Sequence, residues 1–145
     1  MTNYKSPALT VDAIIEEKES ILMIRRKSDT FNGYFALPGG FVEYGESAEE
    51  AVRREVLEEL NLHIEPLHIL GVYSESDRDP RGHVVSTIFI CTFKGTPMAG
   101  DDAQSYEWLL LNDIEKNKIA FDHKKILKDY KSWKVNRGTF WSTKT

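Results

Sequence analysis

Cysteine is nearly missing from this chain: Cys91 stands alone, so neither an internal disulfide nor a multi-cysteine zinc site can form. No apolar run approaches the roughly 20 residues that a membrane-crossing helix needs. The opening stretch MTNYKSPALTVDAII also lacks a basic segment leading into an unbroken apolar run, the mark of a leader peptide. These absences predict a cytoplasmic protein with no membrane partner. Glycine and proline are few and scattered, 9 and 5 residues. There is no repeat, low-complexity tract or interdomain linker, which excludes collagen-like and disordered chains. What remains is an ordinary globular composition, 41% hydrophobic and 29% charged over 145 residues. That is the size of one domain with a sufficient core, so a single domain over residues 1–145 is expected.

The net charge of −4 conceals a division along the chain. Residues 116 to 145 carry nine Lys or Arg against Asp122 and Asp129. This basic tail is read as a solvated helix face in preference to a surface for RNA. Residues 43 to 59 instead hold Glu43, Glu46, Glu49, Glu50, Glu55, Glu58 and Glu59. Their spacing matters more than their number.

Residues 8–15 and 20–26 are short, β-branched and apolar, with a polar turn between them, and predict a hairpin. A third strand should end in a tight turn at Pro38, Gly39 and Gly40. Further strands are predicted at 66–75, 84–93 and 105–111, and helices at 48–60 and 123–134. The last ten residues carry no clear signal. The order β, β, β, α, β, β, β, α implies a mixed sheet covered by helices, an α/β fold.

Ser47 and Glu50 have the spacing of a capping box, so the first helix should start at Ala48. At 100° per residue, Val52, Val56 and Leu60 form one stripe facing the sheet, with Ala48 at its margin and Leu57 off it. Glu55, Glu58 and Glu59 then share an arc beside that stripe at i, i+3 and i+4 spacing. Like charges so placed destabilise a helix by roughly 0.2–0.5 kcal/mol per pair. Arg54, at i, i+4 to Glu58, offsets part of the repulsion, but one guanidinium cannot neutralise three carboxylates and Glu46 besides. A hard divalent cation would. Magnesium takes oxygen ligands and keeps waters for substrate phosphates, and manganese is the alternative.

Gly40, Glu46, Arg54, Glu55, Val56, Glu58, Glu59, Asn61 and Leu62, at the spacings found here, resemble the signature box of the Nudix hydrolases. The one departure is Asn61, where the family has a glycine with positive φ; Asn is the next best residue for that conformation. The resemblance implies a Nudix-type α/β/α sandwich with a mixed sheet and a loop-helix-loop catalytic box. It implies a pyrophosphohydrolase that cleaves a nucleoside diphosphate linked to a group X. By position, Glu55, Glu58 and Glu59 look like metal ligands, joined by a backbone carbonyl near Gly39 or Gly40. Arg54 would orient a box glutamate, and Glu46 would bind metal indirectly or shape the loop.

The stretch from Ser76 to Ser86 resembles a segment of small ADP-ribose pyrophosphatases, in which Arg78 and Arg81 are candidates for a terminal phosphate or ribose. ADP-ribose, cleaved to AMP and ribose 5-phosphate, is therefore the expected substrate. The alternatives are a nucleotide-pool sanitiser acting on 8-oxo-dGTP and a Nudix domain that senses ADP-ribose without cleaving it. Asp102 and Asp101 resemble a family loop that reaches over the metals; Asp102 is the candidate catalytic base, with Glu55 as rival, and Asp101 a candidate substrate contact. Phe31, Tyr34 and Phe35 precede the box; Phe35 is the candidate to stack on a base, against the commoner core role of aromatics there. Asp122 is expected to cap the second helix, His123 to be structural, and a homodimer is left open.

Overall fold

Continuous apolar sequence in β1 (Ala8–Glu17) follows from its central position, covered on both faces. Val11, Ala13 and Ile15 enter one core cluster and Ile14 the other, the two-residue alternation of a strand. This computed structural model describes residues 5–100 and 105–145. Asp101 and Asp102 lie outside the described residues.

β1 turns back into β2 (Ser20–Arg25) through Lys18 and Glu19, both with positive φ, 49° and 66°. The chain continues through β3 (Phe35–Ala36), β4 (Gly39–Phe41), α1 (Ala48–Leu60), β5 (His63–Tyr73), β6 (Val84–Lys94) and β7 (Ser105–Leu110). A 3-10 turn (Leu111–Lys116), α2 (His123–Asn136) and β8 (Phe140–Trp141) complete it. The strands join in one mixed sheet in the order β3-β2-β1-β6-β5-β8, with β7 on β2 and β4 on β1. β1 runs parallel to β6 and antiparallel to both β4 and β2. α1 buries Ala51, Val52, Val56 and Leu60 against one face. α2 buries Ile126, Leu127, Tyr130 and Trp133 against the other. The α/β/α layering is the one expected.

Three details differ from the expectation. Gly39 and Gly40 extend as β4 instead of turning, because Gly39 passes β1 so closely that a Cβ would strike the Val11 carbonyl. β5 begins at His63, three residues early, and Pro66 sits at a register shift, where a residue without an N–H is tolerated. The silent tail supplies β8, parallel to β5, where Gly71 leaves room for the Phe140 carbonyl.

The ends of α1 are as read from the sequence. Ser47 and Glu50 make the reciprocal capping box, and Asn61 closes the helix at φ 52°, ψ 37°. The carbonyls of Glu59 and Leu60, which have no partner within the helix, accept from Gly100 N (2.8 Å) and Met98 N (2.7 Å). The segment after β6 is thus tied to the end of the glutamate helix.

Candidate active site

Arg54 is the hub of the box. Its Nη2 and Nε donate to the two oxygens of Glu46 at 2.7 and 3.1 Å, and its Nη1 donates to Glu55 at 2.9 Å and Glu58 at 3.4 Å. Nη2 also donates to the Phe41 carbonyl at 3.0 Å, fixing the loop before the helix. The Glu46 bonds hold Arg54 firmly charged, and the same guanidinium lowers the Glu46 pKa. Glu59 turns the other way: its Oε1 accepts from Gly39 N at 2.9 Å, and burial pushes its carboxyl up to about 8. Burial also raises Glu55. Gly40 lies flat on Glu55, and any Cβ there would overlap the Glu55 carboxyl.

The three helix glutamates share an arc, yet their side chains part. Glu55 and Glu58 go to Arg54, while Glu59 goes to an amide. Among the described residues no three His, Cys, Asp or Glu side chains form a ready metal-holding group. The reason is electrostatic, since each carboxylate takes the nearest positive or amide partner.

Beside Glu59 and Gly39 opens a cleft of about 190 Å³. Arg78 and Arg81 both line it, with different partners. Arg78 is buried and grips Asp122 with two bonds, 2.7 and 2.9 Å, so its donors face the carboxylate just before α2. Asp122 in turn makes no side-chain cap bond, although it holds the cap position of α2. Arg81 pairs with Asp79 at 2.8 and 3.1 Å and stays half exposed, near the rings of Phe121 and Phe41. Phe35 corrects the expectation. It is 5% exposed, packs in the core under α2 and does not line the cleft. The aromatics at the cleft are Phe41 and Phe121.

Sequence reasoning missed Asp12. It is 8% exposed on β1, lines the cleft, and accepts from Ser86 Oγ at 2.7 Å. The signal was an acidic residue inside the apolar run TVDAII. His123, read as structural, is buried and takes the Leu37 amide at 3.0 Å on Nδ1, holding the chain just before the glycines. Cys91 is buried and its thiol is pushed up to about 12 by that burial, so it is chemically quiet.

Carboxylates on one helix, a glycine strand laid against them and a guanidinium-lined cleft define a hydrolase that handles phosphates with the help of a cation. The chain belongs to the Nudix hydrolases: residues 6–130 match the family model described as the NUDIX domain. An ADP-ribose pyrophosphatase of Methanocaldococcus jannaschii is 54% identical over 132 residues, 90% of this chain and 77% of the relative. The ADPR responsive transcriptional repressor NtrR of Acinetobacter baylyi is 31% identical over 134 residues; the match takes in 87% of this chain and 54% of the repressor. The Nudix domain of Shewanella oneidensis NrtR, solved in complex with ADP ribose, superposes with a TM-score of 0.79 at 25% identity and 91% coverage of each chain.

Nudix hydrolases generally use divalent metal ions. The residues fit such an ion. The donors are all oxygens, and the single charge of Arg54 faces Glu43, Glu46, Glu55 and Glu58 within 4 Å. Glu59 is hydrogen-bonded to one amide alone among the described residues and is raised by burial, a carboxyl whose ionised form a cation would stabilise.

Proposed function

We propose that the protein hydrolyses ADP-ribose to AMP and ribose 5-phosphate with magnesium, or manganese in its place. The observation that carries the substrate is the 54% identity, over 90% of the chain, to a protein named ADP-ribose pyrophosphatase. Glu55, Glu58 and Glu59 would hold the cation with a backbone carbonyl at Gly40, and Glu46 would act from outside through Arg54. When bound, the cation neutralises charge growing on the phosphate oxygens and lowers the pKa of the attacking water.

The chain's own residues do the rest. Arg54 fixes Glu55 and Glu58 relative to the loop carbonyl of Phe41. The Gly39 amide fixes Glu59. Arg81, half exposed at the cleft and paired with Asp79 through Nε and Nη2, would meet a phosphate or ribose with Nη1, whereas Arg78 braces the wall through Asp122. Asp102, with Asp101 beside it, follows Gly100, whose amide is bonded to the Glu59 carbonyl. We assign Asp102 as the base. It takes a proton from water as the water oxygen attacks phosphorus and the bridging P–O bond breaks, the bridging oxygen leaving with the departing phosphate.

A second reading, an ADP-ribose sensor, is favoured by the likeness to the repressor NtrR; the intact glutamates of the box count against it. A panel of ADP-ribose, dinucleotides, 8-oxo-dGTP and 5′-triphosphorylated RNA, with products identified, tests the proposal. ADP-ribose should have the highest kcat/KM. Preference for a triphosphate or RNA would overturn the substrate, and tight binding of ADP-ribose without turnover would favour the sensor.

A further inference from the structure

The polar groups around the cleft are mostly committed. Arg78 is held by Asp122, Asp79 by Arg81, and Arg26 by the Thr30 carbonyl and Ser28. Asp12 differs. It is buried at the cleft floor and makes one side-chain hydrogen bond among the described residues, from Ser86. A carboxylate has about four acceptor positions, and leaving them unfilled away from water is costly. Burial accordingly raises the Asp12 pKa.

His123 supplies the complement. The Leu37 amide donates to Nδ1, so Nδ1 is bare and the proton of the neutral ring sits on Nε2. Burial lowers the His123 pKa and favours that neutral form. Nε2 lies 3.9 Å from Asp12 Oδ2. That is too long for a hydrogen bond, yet it lets one further oxygen sit at about 2.8 Å from both atoms. Such an oxygen must accept from Nε2–H and donate to the carboxylate. Water does both, and so does a sugar hydroxyl that takes its place, while a phosphate or carbonyl oxygen can only accept. The site is next to Gly39, whose Cβ, if present, would meet Asp12 Oδ1 at 2.5 Å. A group bound here therefore adjoins the strand that faces the box.

We propose that Asp12 and His123 form a hydroxyl-reading subsite that selects a sugar of the substrate, with Asp12 as the specificity-determining acceptor and Ser86 fixing its rotamer. The inference rests on the ADP-ribose reading, in which two sugars carry such hydroxyls, the adenosine ribose and the terminal ribose. Both present the same chemistry.

The test compares ADP-ribose with two analogues, one lacking the adenosine 2′-hydroxyl and one lacking the corresponding terminal-ribose hydroxyl, on the wild-type enzyme and on D12N. One analogue should lose about 10- to 100-fold in kcat/KM on the wild type, the size expected for a hydrogen bond to a charged group; which one identifies the sugar. On D12N the gap between the same pair of substrates should narrow several-fold, because a charged acceptor is replaced by an amide whose oxygen accepts more weakly and whose NH2 only donates. Equal use of all three substrates by the wild-type enzyme overturns the proposal whatever the fate of the variant. So does discrimination that is undiminished in folded D12N. If ADP-ribose is not cleaved but another nucleotide is, the substrate reading fails by itself, and the comparison is made with that nucleotide and its deoxy forms.

Discussion

Arg78 and Asp122, 44 residues apart in sequence, meet in a two-bond ion pair at 2.7 and 2.9 Å that ties the loop between β5 and β6 to the start of α2. Arg78 is 5% exposed, so the pair is screened little by solvent. Removing Arg78 leaves the Asp122 carboxylate, 20% exposed, without its partner. Arg78→Ala should destabilise the protein by about 3–5 kcal/mol, and Arg78→Lys by less, since an ammonium keeps the charge but not the fork. Urea unfolding of the two variants measures both.

Gly39 and Gly40 are adjacent but should fail differently. A Cβ on Gly39 meets the Val11 backbone, which cannot move aside, whereas the nearest atoms to one on Gly40 are the end of the Glu55 side chain. Gly39→Ala should lower stability by about 2–3 kcal/mol. Gly40→Ala should keep the fold and lower kcat/KM by about 10- to 100-fold, because Glu55, the proposed cation ligand, is displaced. Thermal melts set beside steady-state kinetics separate the two.

Lys18 and Glu19 hold the β1–β2 turn with positive φ at both positions, a conformation that suits Asn-Gly. Replacing the pair by Asn-Gly should raise stability by about 1 kcal/mol without changing turnover. The unfolding midpoint in urea checks it.

The proton acceptor can be separated from the cation ligands. Asp102→Asn should cut kcat about 100- to 10,000-fold while the apparent magnesium constant stays near the wild-type value. Glu55→Gln should disturb both. Full activity of Asp102→Asn at saturating magnesium would move the base to Glu55.

Much of this was legible in local sequence. The capping box, the αL residue Asn61 and the buried stripe of α1 depend on side chains within one or two turns of each other, and each appears as read. What stayed hidden depends on distant partners. Asp122 has the sequence position of a cap, yet Arg78 claims its carboxylate. Phe35 looked free to stack on a base because its burial is set by contacts from the far end of the chain, such as the Lys118 carbonyl that accepts from its amide. Gly39 and Gly40 read as a turn because nothing local shows that β1 lies against them. Asp12 was visible as an oddity in an apolar strand, but its meaning needed His123 and the cleft.

The central claim, cation-dependent cleavage of ADP-ribose by the box, is tested most directly by product-resolved hydrolysis in magnesium and in excess chelator, run on wild type and Glu59→Gln. Wild type should give AMP and ribose 5-phosphate in equal amounts in magnesium and none in chelator, with Glu59→Gln folded and slower by orders of magnitude. Undiminished hydrolysis in chelator, or full turnover by Glu59→Gln, would contradict it.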